Sequence, residues 1–142
     1  MKIYLDNCSF NRPYDDQSQI KIFLESQAKL FIQSEIKKNK IELIWSYILD
    51  YENSRNSNLD KMKLISDWKS LASIDVEESQ AIIKNSKELM ERGLDIYDSL
   101  HIACAFEGNS DFFVTTDRKI INKLSFFQEL KILNPIEFLN VY

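Results

Sequence analysis

A chain of 142 residues, 44% apolar and 28% charged, has the length of one ordinary domain and the balance of a folded one. Two glycines, two cysteines and one histidine exclude a Walker loop, a dinucleotide fingerprint, a paired-cysteine or HExxH zinc site and a disulfide framework. Its 18 basic and 22 acidic residues leave a net charge of −4, which argues against a nucleic-acid partner unless several acids are gathered around bound cations.

Lys2 to Asp6 (KIYLD) is a short apolar run ending in an acid, the pattern of a buried strand. The run is too short before its acid to act as a secretory leader, and no stretch approaches the roughly 20 apolar residues of a membrane helix. A soluble, cytoplasmic protein with reduced thiols is expected. Asn7 to Asp16 (NCSFNRPYDD) carries turn formers and a proline and reads as a loop. From Gln17 or Ser18 to about Lys38, the residues Ile20, Phe23, Leu24, Ala28, Phe31 and Ile32 recur at helical spacing.

Ile41 to Trp45 predicts a second strand, and Ser46 the N-cap of a helix running through Glu52 towards Arg55. Past the polar break Asn53 to Asn58, a helical stripe takes in Leu59, Met62, Ile65, Trp68 and Leu71, as core or subunit interface. Asp75 and Glu78 have capping-box spacing, predicting a helix that closes at Gly93. Asp95 to Glu107 predicts another, stopped by Gly108. There follow a strand at Asp111 to Thr115, a helix at Arg118 to Leu124 and a last strand at Lys131 to Leu133. Asn134-Pro135 caps a terminal helix. Strands separated by helices cannot pair as hairpins. The expected fold is therefore α/β, one domain over residues 1–142 with a parallel sheet and helices on both faces.

Ligands of such a sheet bind beyond the carboxyl ends of its strands, where the strand order reverses. Asp6 ends the first predicted strand, and Asp117 follows the strand DFFVT within two residues. Glu52 and Asp98 lie on helices that could aim them at the same crevice. Each acid has an ordinary reading as a cap, a first-turn acid or a solvated group, and their joint placement weakens it. Converging carboxylates suit Mg²⁺ or Mn²⁺, hard cations that prefer oxygen ligands and keep several waters. Such a site serves phosphodiester hydrolysis without histidine or cysteine.

The segments KIYLDNCSFNRPYDDQ, SYILDYE, DSLHIACA and FFVTTDRKI together resemble the PIN domain, the PilT N-terminal nuclease domain, and the resemblance runs from end to end. It implies a Rossmann-like parallel sheet and a metal-dependent endoribonuclease site. The family's four acids match Asp6, Glu52, Asp98 and Asp117, and the hydroxyl of its T-x-D element, which helps order the metal site, matches Thr115. The resemblance also implies an RNA substrate, a homodimer and, for VapC-type members, a toxin released from an antitoxin. Many PIN toxins follow the first Asp with a small hydroxyl residue and then Asn or Ser. Here Asn7 and Cys8 follow, and the NRPYDD loop resembles a branch of stand-alone PIN proteins.

Arg12 and Arg118 are the candidate phosphate contacts. Arg12 has a competing role, pairing with Asp15 or Asp16 to stiffen its loop. His101 shares a helical face with Asp98 and reads first as a buried, hydrogen-bonded residue. The rival from another class is a non-catalytic module of the same fold that binds RNA or protein. It predicts no metal dependence and no effect of Asp98→Asn.

Overall fold

The computed structural model describes residues 1–125 and 127–142. The apolar run that opens the chain forms β1 (Lys2–Leu5), and three more parallel strands fall where the sequence predicts them: β2 (Glu42–Ser46), β4 (Phe112–Val114) and β5 (Lys131–Leu133). A fifth, β3 (Ala72–Val76), was not expected. The order is β3-β2-β1-β4-β5, all pairs parallel. Central strands buried on both sides read as continuous apolar runs, and Ile3, Tyr4, Leu5, Leu43, Ile44, Trp45, Phe113 and Val114 have almost no exposed surface. As an edge strand, β3 instead has Ser73 and Asp75 exposed between less exposed neighbours, a period of two within a stretch that also reads as helix.

The helices are α1 (Asn7–Asn11), α2 (Ile20–Lys37), α3 (Tyr47–Ser54), α4 (Leu59–Ser66), α5 (Gln80–Glu91), α6 (Ile96–Glu107), α7 (Arg118–Lys123) and α8 (Pro135–Leu139). They flank the sheet, with α2 packed on α8 and α5 on α6. The segment expected as a loop after Asp6 is α1 followed by a 3-10 turn at Arg12–Tyr14. Asp75 is a strand residue and caps nothing. The N-cap of α5 is Ser79, whose hydroxyl accepts from Ile82 N at 3.2 Å. Asn134 and Glu137 form the capping box of α8, with Pro135 in its first turn.

Both glycines have steric reasons. Gly93 adopts φ +96°, and a Cβ on Gly108 would lie 2.9 Å from Ile44 Cγ2, so the end of α6 approaches β2 only without a side chain. Helix α2 departs most from its pattern. Ala28 and Ile32 are buried, but so are Glu25, Ser26, Lys29, Gln33 and Glu35, whereas Ile20 is 76% exposed and Phe23, Leu24, Leu30 and Phe31 are also exposed.

Candidate active site

The strand order reverses between β1 and β4, so the crevice for a ligand lies at their carboxyl ends. Asp6 leaves β1 there and caps α1, and its Oδ1 accepts from Ser9 N at 2.9 Å. The Thr115 hydroxyl, just past β4, donates to Asp6 Oδ2. The same oxygen of Thr115 accepts from Asp117 N at 2.9 Å. Asp117 in turn caps α7, accepting from Lys119 N at 2.8 Å. Thr115 thus ties together the first and fourth acids across the switch point. Asp6 is almost fully buried, and burial raises its pKa against the lowering effect of the Thr115 bond.

Asp98 stands in the first turn of α6, whose N-cap is Asp95, and its backbone N–H donates to Asp95 Oδ1 at 2.8 Å. Its half-buried carboxyl accepts no hydrogen bond among the described residues. Desolvation, then repulsion by Asp95, Asp117 and Asp6, pushes its pKa up to about 7. Glu52, on α3, is held by His101, whose Nε2 lies 2.5 Å from Glu52 Oε1. Behind the ring, His101 Nδ1 lies 2.6 Å from the Tyr4 hydroxyl, which is 2.6 Å from Ser46 Oγ. All members of this chain except Glu52 are buried.

The Cys8 thiol lies two residues past Asp6, at the start of α1. It is pushed well above its usual range first by Asp6 and then by desolvation, with Asp117, Glu52 and Asp98 adding to the effect. Of the four acids singled out in the sequence, Asp6 and Asp117 are joined through Thr115, while Asp98 and Glu52 lie within electrostatic range of the same thiol. Among the described residues, no three His, Cys, Asp or Glu side chains form a ready-made metal cluster. The donor set is nevertheless anionic oxygen throughout, and mutual repulsion at Asp98 is what a cation relieves. The amide oxygen of Asn7, buried with no donor, belongs to a residue lining the same cleft as Asp117. These features fit a hydrated hard cation, which takes one or two carboxylates directly and offers water protons to other acceptors.

The candidate cations lie at the edges. Arg12 pairs with Asp15 at 3.2 Å and with buried Glu25 at 3.0 Å, so its charge is already opposed. Gln17 Nε2 donates to Asp15 O and Ser26 Oγ, fastening the loop to α2. Arg118, exposed at the start of α7, lines a neighbouring cavity with Lys21, Glu25 and Asn134. His101 contacts Glu52 and Tyr4, although its spacing suggested Asp98. The residues that sequence reasoning missed are Tyr4 and Ser46. Their only signal was a phenol inside a fully apolar strand, since a buried hydroxyl needs a partner.

A five-stranded parallel sheet with Asp6 and Asp117 beside each other at its switch point defines a doubly wound α/β protein. The sequence matches the PIN domain family over residues 3–126, and the chain belongs to that family, whose members are nucleases. No curated protein compared with the chain matches it.

Solved structures of similar fold include FitAcB and two VapBC proteins. FitAcB from Neisseria gonorrhoeae has a TM-score of 0.59 at 14% identity, covering 94% of this chain and 98% of that one. VapBC-1 from nontypeable Haemophilus influenzae has a TM-score of 0.58 at 15% identity, covering 96% and 99%. VapBC2 from Rickettsia felis, bound to a DNA fragment from its promoter, has a TM-score of 0.57 at 17% identity, covering 94% and 98%. No helix among the described residues is long and apolar enough to cross a membrane.

Proposed function

We propose that the chain is a divalent-metal-dependent endoribonuclease acting in the cytoplasm as one domain, with Asp6, Glu52, Asp98 and Asp117 holding Mg²⁺ or Mn²⁺. The observation that supports this reading is the Thr115 hydroxyl joined to both Asp6 and the Asp117 backbone at the β1/β4 switch point, with the Asp98 carboxyl close enough to be repelled by both acids. When bound, such a cation supplies Lewis-acid chemistry, activating water and offsetting phosphate charge.

The protein's part is positional. Thr115 and Ser9 occupy both oxygens of Asp6 and fix its plane. His101 holds one oxygen of Glu52, leaving the other without a hydrogen-bond partner among the described residues. The Asp98 carboxyl keeps both oxygens free of hydrogen bonds among the described residues. A phosphodiester entering the cleft meets acids already oriented by the fold, which lowers the reorganisation needed at reaction.

A protein partner also belongs to this reading. The exposed stripe Ile20, Phe23, Leu24, Leu30 and Phe31 suits a second copy of the chain or an antitoxin, and two of the similar structures are VapBC proteins. The toxin role rests on that similarity together with the family.

The test is cleavage of a mixed tRNA and single-stranded RNA pool in Mg²⁺, Mn²⁺ or EDTA, wild type beside Asp98→Asn. Cleavage that needs metal and disappears in the folded variant is expected. Equal cleavage by both proteins, or cleavage in EDTA, overturns the proposal. Mn²⁺ titration in a calorimeter accompanies the assay, since absence of both cleavage and metal binding would identify a non-catalytic module.

A further inference from the structure

We infer that Tyr51, Tyr97 and Arg55 form a shelf on which an unpaired nucleobase stacks beside the acid crevice; this rests on the RNA-cleaving reading and names how the substrate is held. Tyr51 immediately precedes Glu52 on α3, and Tyr97 immediately precedes Asp98 on α6. The packing of α3 on α6 brings these two rings together, with centroids 5.8 Å apart and planes 21° from parallel. Their hydroxyls lie 3.5 Å apart. Tyr51 is 46% exposed, and Tyr97 is partly exposed. The two rings form a contiguous, partly exposed aromatic surface next to the acids, the kind of surface that marks an interaction site.

Arg55, one turn beyond Tyr51, places its guanidinium 5.8 Å from the Tyr51 ring centre, with Nη1 3.5 Å from the hydroxyl. No carboxylate pairs with Arg55 among the described residues. Arg12, by contrast, is engaged by Glu25 and Asp15. The shelf therefore offers what the crevice lacks. Four carboxylates repel a polyanion, whereas aromatic faces bind bases of any identity without charge, and a free guanidinium reaches a neighbouring phosphate. Stacking also requires a base that is not already paired, so the ligand class is single-stranded RNA, or a loop whose bases can be splayed outward.

The test is fluorescence anisotropy with a labelled 12-nucleotide oligouridylate and an abasic strand of equal charge, in Mg²⁺, on the Asp98→Asn background. Replacing both tyrosines by leucine is expected to weaken oligouridylate binding by between about fivefold and a hundredfold, the span associated with one stacked base. Replacing both by phenylalanine is expected to leave binding unchanged. The abasic strand is expected to bind both the parent and the leucine variant equally weakly. Circular dichroism establishes that the variants fold.

Leucine variants within twofold of the parent, an abasic strand that binds as well as oligouridylate, or no binding at all, as for a shelf that receives a protein, would each overturn the inference. The nuclease reading is scored separately by wild-type cleavage. Stacking without cleavage leaves the shelf standing and removes the enzyme, and cleavage indifferent to the tyrosines does the reverse.

Discussion

His101 Nε2 stands 2.5 Å from Glu52 Oε1, so the chain's one histidine is committed to one of the four acids proposed to hold metal. With Tyr4 and Ser46 behind it, the ring cannot turn without breaking buried hydrogen bonds. His101 is a positioning residue in this arrangement. His101→Leu is expected to lower cleavage by about 10- to 100-fold through kcat with little change in KM, as for other groups that orient metal-site ligands. His101→Gln, which can still donate to Glu52, should recover part of the loss. Equal losses in both variants would assign His101 to packing alone.

Thr115 makes two bonds with one hydroxyl, donating to Asp6 and accepting from Asp117 N. Thr115→Val keeps the shape and removes both. The expected cost is about 1–3 kcal/mol in urea unfolding, because a buried carboxylate oxygen and a part-buried N–H lose their partner, together with weaker Mn²⁺ binding by calorimetry. Thr115→Ser should retain both properties. A valine variant with wild-type stability and metal affinity would contradict the geometry.

Lys29 is 2% exposed, with its ammonium 5.0 Å from the Phe10 ring centre and 5.8 Å from that of Trp68. Burial lowers its pKa to about 7. An unfolded lysine titrates near 10.4. Between those values the unfolded chain carries a proton that the folded chain has released, so this group's contribution makes stability rise with pH from about 7 to about 10. The aromatic faces favour the charged form and reduce the slope. Lys29→Met is expected to raise stability by about 1–3 kcal/mol at pH 6, and by much less at pH 10. Urea midpoints at the two pH values test this, and an equal gain at both would refute it.

Glu25 is 1% exposed and faces Arg12 at 3.0 Å and Lys21 at 3.4 Å. Arg12→Ala leaves a buried carboxylate short of its nearest cation and is expected to cost about 2–4 kcal/mol. Adding Glu25→Met should recover much of that loss and, if Arg12 acts only on its own loop, restore cleavage as well. Restored stability with cleavage still lost would return Arg12 to the substrate.

The α/β class, four of the five strands and the caps at Ser46 and Asn134 were readable from local chemistry, since each depends on a run of neighbouring residues. The positions of Asp6 and Asp117 past the ends of β1 and β4 were readable in the same way, because both acids follow apolar runs closely. Local chemistry was not enough for β3, an edge strand whose alternation competes with helical spacing. It also could not foresee that Asp6 and Asp117, both helix caps, are linked through Thr115.

Which side of α2 is buried was a tertiary decision. Apolar periodicity marked Ile20, Phe23, Leu24, Ala28, Phe31 and Ile32, yet only Ala28 and Ile32 of these are buried, beside Glu25 and Lys29. The 3-10 turn, Phe10 and Trp68 supply partners for those charges, and no window of sequence around α2 contains them. The same holds for the site. Tyr4, Ser46, Glu52 and His101 come from four separate elements, and hydrogen bonds between them exist only once the parallel sheet has set β1 beside β2. Sequence alone determined which groups could do the chemistry, and the strand order determined which of them meet, because pairing distant strands is a choice that only the whole core can stabilise.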